Sequence, residues 1–293
     1  MKALQAYLAL DAHARLAEGP RWDDRDGALW WVDILGQAVH RFDTQAGSDR
    51  AYPVPTDVGC VLPTDGPDVL VTLRETVGLL DPRSGSIAHV VDFPRTVETQ
   101  RTNDGAVDPF GNALIETMAD DERAGGGSLL RLRPDGQIEH LLGGLTIPNG
   151  IAWTADGSSM WFTDSPTRRV ECIPYSPDGP LGARRTAFEV ERGFPDGLTT
   201  DADGRVWVAS WGGWGVGCYE PDGRLVAWVD IPCANVTSCA FGGPALEELY
   251  ITTARKDLSE DDLRRQPHAG GIFVARPGTH GRAAYRFRSG PAR

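Results

Sequence analysis

Short apolar runs recur along the chain at near-equal intervals. They are Leu29-Trp30-Trp31-Val32, Val69-Leu70-Val71, Ala113-Leu114-Ile115, Met160-Trp161-Phe162, Val206-Trp207-Val208 and Leu249-Tyr250-Ile251. Each is rich in β-branched or aromatic residues, and several follow turn dipeptides such as Asp26-Gly27, Asp156-Gly157 and Asp203-Gly204. Apolar runs this short, bounded by turns, predict buried strands rather than helices. With Trp30, Leu70, Leu114, Trp161, Trp207 and Tyr250 as markers, the steps are 40, 44, 47, 46 and 43 residues. A second run follows each first one after a polar gap, as in Val39-His40-Arg41-Phe42 or Gly271-Ile272-Phe273-Val274. Three of these lead into Pro-Asp-Gly turns at Pro134, Pro177 and Pro221.

A repeat of forty-odd residues carrying several strands predicts an all-β fold, a β-propeller of six four-stranded blades forming a single domain over residues 1–293. An N-terminal strand over residues 4–10 is expected to complete the last blade. An immunoglobulin-like sandwich would show closer spacing and no repeated Trp run. One short helix is expected at residues 258–266, with Ser259 as cap and Asp262 three residues on.

Composition agrees. Glycine (35) and proline (21) make up about a fifth of the chain, against roughly 12% on average, as a turn-rich β protein requires. The net charge of −12 argues against nucleic-acid or anionic-membrane partners, which need a basic stripe. Five cysteines without a C-x-x-C pair form neither a disulfide framework nor a zinc knuckle and fit a reducing, cytoplasmic location. Lys2 and the apolar residues after it resemble a short leader, but Gln5 and Tyr7 interrupt the run and a first strand explains it equally well. No stretch reaches the roughly 18 apolar residues of a membrane helix.

The chemistry lies in the repeat register. Gly19, Gly59, Gly105, Gly150 and Gly197, with Ser238 in the last unit, precede the first strand runs at steps of 40, 46, 45, 47 and 41 residues. Equivalent positions in successive blades ring the propeller axis. The residues just before them are Glu18, Val58, Asp104 (beside Asn103), Asn149, Asp196 and Thr237. Four units thus aim a carboxylate or amide at one point, where like charges would repel without a counter-ion. Oxygen donors without His or Cys suit calcium, magnesium or manganese better than an imidazole-type zinc site. Asp-Gly and Asn-Gly are also ordinary turn dipeptides, a reading that serves any one unit but fails for Glu18.

Competing motifs are missing: the chain has no G-x-S-x-G, H-E-x-x-H, P-loop or G-x-G-x-x-G. The glycine-rich run Gly212-Gly213-Trp214-Gly215-Val216-Gly217 opens no predicted helix and reads as a loop near the channel mouth. Trp211 and Trp214 fall outside the strand register and could line a pocket or pack between blades.

Several stretches together resemble the SMP30/gluconolactonase/luciferin-regenerating, or regucalcin, family. They include Ala17-Glu18-Gly19-Pro20-Arg21-Trp22, Arg101-Thr102-Asn103-Asp104-Gly105, Thr117-Met118, Pro148-Asn149-Gly150-Ile151-Ala152-Trp153, Phe194-Pro195-Asp196-Gly197 and Leu249-Tyr250-Ile251-Thr252-Thr253-Ala254-Arg255. The resemblance implies a lactonase that hydrolyses small-molecule sugar lactones such as gluconolactone or pentonolactones. It also implies one divalent metal ion in the channel, calcium first, with zinc, manganese, magnesium or iron as alternatives. By the same resemblance Glu18, Asn149 and Asp196 are metal ligands and Asp196 is also the catalytic base. Arg101 and Asn103 bind substrate, and so does Asp121, which stands where relatives place a longer carboxylate. Glu116 stands where small residues are usual. The alternatives are a calcium-dependent organophosphate or aryl-ester hydrolase and a non-catalytic calcium-binding propeller.

Overall fold

The apolar runs become strands that are buried over all or all but one of their residues, because each sheet is packed on both faces. Ala28–Asp33, for example, is buried at every position. The computed structural model describes residues 1–94 and 97–289, and most of them lie in strands and tight turns. The chain opens with β1 (Lys2–Leu10), followed by β2 (Ala17–Asp23), β3 (Ala28–Asp33), β4 (Ala38–Asp43) and β5 (Ser48–Pro53). Next come β6 (Val58–Pro63), β7 (Val69–Leu73), β8 (Thr76–Leu80) and β9 (Ile87–Asp92), then β10 (Gln100–Val107), β11 (Ala113–Ala119), β12 (Gly127–Leu132) and β13 (Ile138–Leu145). These lead to β14 (Pro148–Trp153), β15 (Ser159–Asp164), β16 (Arg169–Pro174) and β17 (Arg185–Glu189). The last set is β18 (Phe194–Thr200), β19 (Val206–Trp211), β20 (Gly215–Tyr219), β21 (Leu225–Asp230), β22 (Val236–Gly242), β23 (Glu248–Thr253) and β24 (Ile272–Ala275).

The all-β class holds, but the expected count of six four-stranded blades is overturned by the strand pairing. Four four-stranded blades stand as separate sheets, β2–β5, β6–β9, β10–β13 and β14–β17. The other strands form one continuous eight-stranded sheet, in the order β18-β19-β20-β21-β1-β24-β23-β22. The joint is β1. Its residues 2–5 pair in parallel with residues 227–230 of β21, and its residues 6–10 pair antiparallel with β24. The pairing with β24 is the one expected of the N-terminal strand, but a repeat count, which treats every unit alike, could not reveal that the same strand also pairs with β21 of the preceding unit.

The helix falls where expected. α1 (Glu260–Arg265) starts from a capping box in which Ser259 accepts from the Asp262 amide and Asp262 accepts from the Ser259 amide. Among the described residues no helix is long and apolar enough to cross a membrane, and all five cysteines are free.

Strands β2, β6, β10, β14, β18 and β22 are neighbours in that cyclic order and surround the axis. Each breaks register with its hairpin partner at the ring position. The breaks fall between Glu18 and Arg21, Val58 and Cys60, Thr102 and Gly105, Asn149 and Ile151, Pro195 and Leu198, and Val236 and Ser238. A bulge re-aims side chains that regular alternation would send into the sheet faces. The glycines let the inner strands approach. Gly150 has φ +55°, and a Cβ there would lie 2.6 Å from the Asp196 carbonyl oxygen. A Cβ on Gly197 would lie 2.0 Å from Ser238 Oγ. The opposite end of the channel is crossed by the C-terminal segment, where Arg282 and Tyr285 line a second cavity with Trp22 and Trp153.

Candidate functional site

The first residues of the inner strands open on a cavity of about 290 Å³. Glu18, Arg101, Asn103, Asn149 and Asp196 all line it, so residues separated by up to 178 positions meet in one place. All five are buried. Leu16, Met118, Ile147, Phe194 and Trp211 supply apolar wall, and Ser165 adds a hydroxyl.

The polar groups are tied in a chain. Arg101 Nη1 donates to Asn103 Oδ1 at 2.7 Å and to the Thr102 carbonyl at 3.0 Å. Asn103 Nδ2 donates to Asn149 Oδ1 at 3.0 Å and to the Pro148 carbonyl at 2.9 Å. Asn149 Nδ2 in turn donates to Ser165 Oγ at 3.0 Å. The amide orientations are therefore set by a network rather than by solvent.

The carboxylates are less well satisfied. Glu18 Oε2 accepts from the Gly19 amide at 2.9 Å, and burial, reinforced by Asp104, pushes the Glu18 carboxyl up to about 8. Burial first, then the charges of Glu18 and Asp104, hold the Asp196 carboxyl well above the usual carboxylate range. Asp196 Oδ1 is buried and has no hydrogen-bond partner among the described residues. Buried like charges with an orphaned oxygen fit a cation between them. Among the described residues no three His, Cys, Asp or Glu side chains form a ligand group. The third donor here is the Asn149 amide, and two carboxylates with an amide oxygen make a hard, oxygen-only set suited to a divalent ion.

The register reading included one residue too many. Asp104 does not line the cavity; its Oδ1 accepts from the Gly105 amide at 2.7 Å and from Arg21 Nη2 at 3.3 Å. Arg21 thus pairs directly with Asp104, whereas Glu18 and Asp196 have no ion pair of their own among the described residues.

Asp121 is likewise not brought to the cavity. Its carboxylate is exposed and pairs with Arg123 at 3.0 Å. Glu122, the next residue, lines the cavity instead. Glu122 stands in the turn after β11 at φ 55°, and its half-exposed carboxylate sits at the rim of the cavity, held by Lys256. Glu116 is fully buried with both carboxylate oxygens unpartnered among the described residues, yet it stands outside the cavity lining. Trp211 faces the cavity, whereas Trp214 is exposed and outside it. Residues 212–214 form the turn between β19 and β20 and start no helix.

Neither the repeat register nor any motif points to Lys256 and Asp257, which complete the rim. Lys256 Nζ donates to Glu122 Oε1 at 3.1 Å and to Asp257 Oδ2 at 2.7 Å. It also stands 5.5 Å from the centre of the Trp211 ring.

Known proteins are similar to this chain over nearly its whole length. Residues 16–255 match the SMP-30/Gluconolactonase/LRE-like region. The chain is 38% identical to an L-arabinolactonase of Azospirillum brasilense, covering 98% of this chain and 97% of the relative. It is 36% identical to the pentonolactonase XacC of Haloferax volcanii, with 94% and 96% covered. The crystal structure of a calcium-binding regucalcin from Agrobacterium tumefaciens superposes with a TM-score of 0.92 at 26% identity, covering 98% of this chain and 99% of that one. With the ring of inner-strand side chains in place and near-complete coverage on both sides, the chain belongs to the SMP-30/gluconolactonase/LRE-like family.

Proposed function

We propose that this protein is a metal-dependent hydrolase that opens sugar lactones. The observation that carries this reading is one cavity in which two buried, mutually repelling carboxylates, Glu18 and Asp196, face a guanidinium and two amides. The lactonase names of the relatives support the same reading.

Glu18, Asn149 and Asp196 would hold a divalent ion, calcium first, and when bound it supplies Lewis-acid polarisation of a carbonyl oxygen. Asp196 accepts the proton of the attacking water, a role suited to a carboxylate that keeps one oxygen clear of protein donors. Arg101 orients the ring by donating to its hydroxyls and ring oxygen. Asn103, whose two amide hydrogens go to Asn149 and Pro148, offers the free lone pair of Oδ1 to a ring hydroxyl. These are groups that a polyhydroxylated lactone has and a long acyl chain lacks. Met118, Ile147 and Phe194 give the ligand's carbon skeleton an apolar wall to lie against.

The test is a pH-indicator screen of five- and six-carbon aldonolactones, with an aryl ester, paraoxon and a long-chain acyl lactone as comparison substrates. It is run after exhaustive chelation and again with calcium, magnesium, manganese, zinc or iron added back. Acid release from aldonolactones that needs the added ion supports the proposal. Full turnover in verified metal-free protein, or a more than tenfold preference for a comparison substrate, would refute it.

A further inference from the structure

The rim residues carry an argument of their own, which rests on the lactonase reading. Lys256 bridges two loops, since its partner Glu122 lies 134 positions away. The root of its side chain is fixed: the Lys256 amide donates to the Arg15 carbonyl at 2.9 Å, and its own carbonyl accepts from Asn235 Nδ2 at 2.8 Å. Both flanking acids sit in left-handed backbone conformations, Glu122 at φ 55° and Asp257 at φ 62°. Non-glycine residues pay for that geometry, and such strain concentrates where side chains must be aimed. All three residues line the same cavity as Arg101 and Asp196.

An ammonium has three N–H donors. Glu122 and Asp257 accept two of them, and the third is left for a ligand oxygen at the mouth. The trio also carries one positive charge against two negative ones. An uncharged hydroxyl gains the donor without meeting a net repulsion, whereas an anionic substituent meets two carboxylates. We propose that Lys256, flanked by Glu122 and Asp257, is the specificity determinant of the site, selecting neutral polyhydroxylated lactones and turning away those with an anionic far end. Rejection built from repulsive groups beside an attractive one is how discrimination is commonly achieved.

The experiment compares kcat/KM for L-arabinonolactone, which is neutral, with that for glucarolactone, which carries a free carboxylate. In the double variant Glu122→Gln, Asp257→Asn the trio changes from net negative to net positive. The glucarolactone-to-arabinonolactone ratio of kcat/KM is expected to rise about tenfold, equivalent to about 1.4 kcal/mol. Lys256→Met is expected to raise KM for arabinonolactone about tenfold while kcat stays within about threefold, the signature of lost uniform binding. Calorimetry with the carbonyl-free cyclic ether analogue of the neutral sugar reads the same loss without turnover. An unchanged ratio in the double variant, or unchanged KM and Kd in Lys256→Met, overturns the proposal. If wild-type protein opens lactones and the variants match it, this inference fails alone. If wild-type protein binds the ether in a Lys256-dependent way but opens no lactone, the lactonase reading fails and the recognition role of Lys256 stands.

Discussion

Asn103 Nδ2 donates to Asn149 Oδ1 at 3.0 Å, which joins the proposed substrate-binding side of the cavity to the proposed ion-binding side. The same Asn103 accepts from Arg101 at 2.7 Å. One amide therefore orients two residues of different roles, and its loss should be felt by both.

Asn103→Ala is expected to raise KM for the lactone and also to weaken divalent-ion affinity, each by about tenfold, the effect of about 1–1.5 kcal/mol for one lost hydrogen bond. Isothermal titration of the ion and steady-state kinetics check the two halves. Weakened substrate binding with unchanged ion affinity would show that Asn149 is held by Ser165 alone.

Asp196→Asn and Glu18→Gln should part company. Asparagine keeps an oxygen but cannot take a proton, so kcat is expected to fall about 10²–10⁴-fold, the usual worth of general-base catalysis. Glu18→Gln should act through ion affinity and recover in excess ion. Each change also removes one of two buried, repelling charges, so each variant in chelator should melt above wild-type protein. Thermal melts with and without added calcium, beside kinetics over an ion titration, make the comparison. Full recovery of both variants in excess ion would leave Asp196 as a ligand only.

Gly197→Ala tests the close approach of the inner strands. The new Cβ would meet Ser238 Oγ at 2.0 Å and Ser238 Cβ at 2.5 Å, so either strand must move. Overpacking of this kind costs about 1–3 kcal/mol, and the shift falls next to Asp196. Denaturant unfolding should show the loss, with kcat falling in the same variant. A fully active, equally stable variant would mean that Ser238 yields without disturbing the ring.

The channel's far end supplies a pH test. Burial by itself would raise the Asp23 carboxyl, but hydrogen bonds from Arg25 outweigh it, and the group lies below the usual carboxylate value, with Arg286 adding to the effect. A carboxylate lowered in the folded state contributes stability above its unfolded value near 3.9 and loses it as pH falls through the folded value. Asp23 also anchors the C-terminal segment, because Arg286 Nη2 donates to it at 3.2 Å. Amide exchange in residues 282–289 is therefore expected to speed up below about pH 4, and in Asp23→Asn already at neutral pH. Equal protection of this segment in the variant would show that Phe287 and its pairing to Thr64 suffice to hold it.

Much of this protein was legible because it repeats itself. Strand identity followed from the short apolar runs, and the register of Glu18, Asn149 and Asp196 followed from equal spacing around an axis. That inference needed no contact information, since a repeat places like positions in like surroundings. The capped helix at Glu260–Arg265 was equally local, written in Ser259 and Asp262.

What repetition conveys, it conveys of every unit alike, and the departures were decided in three dimensions. Arg21 pairs with Asp104, which lies outside the cavity lining although its register equals that of Asp196. Glu122 rather than Asp121 stands at the rim. Lys256 reaches Glu122 across the mouth, and β1 bonds on both sides to merge eight strands into one sheet. The spacing of residues along a strand is a property of the backbone and can be read from the chain. Which charge finds which partner depends on side chains brought together from distant segments, and only the folded structure settles that.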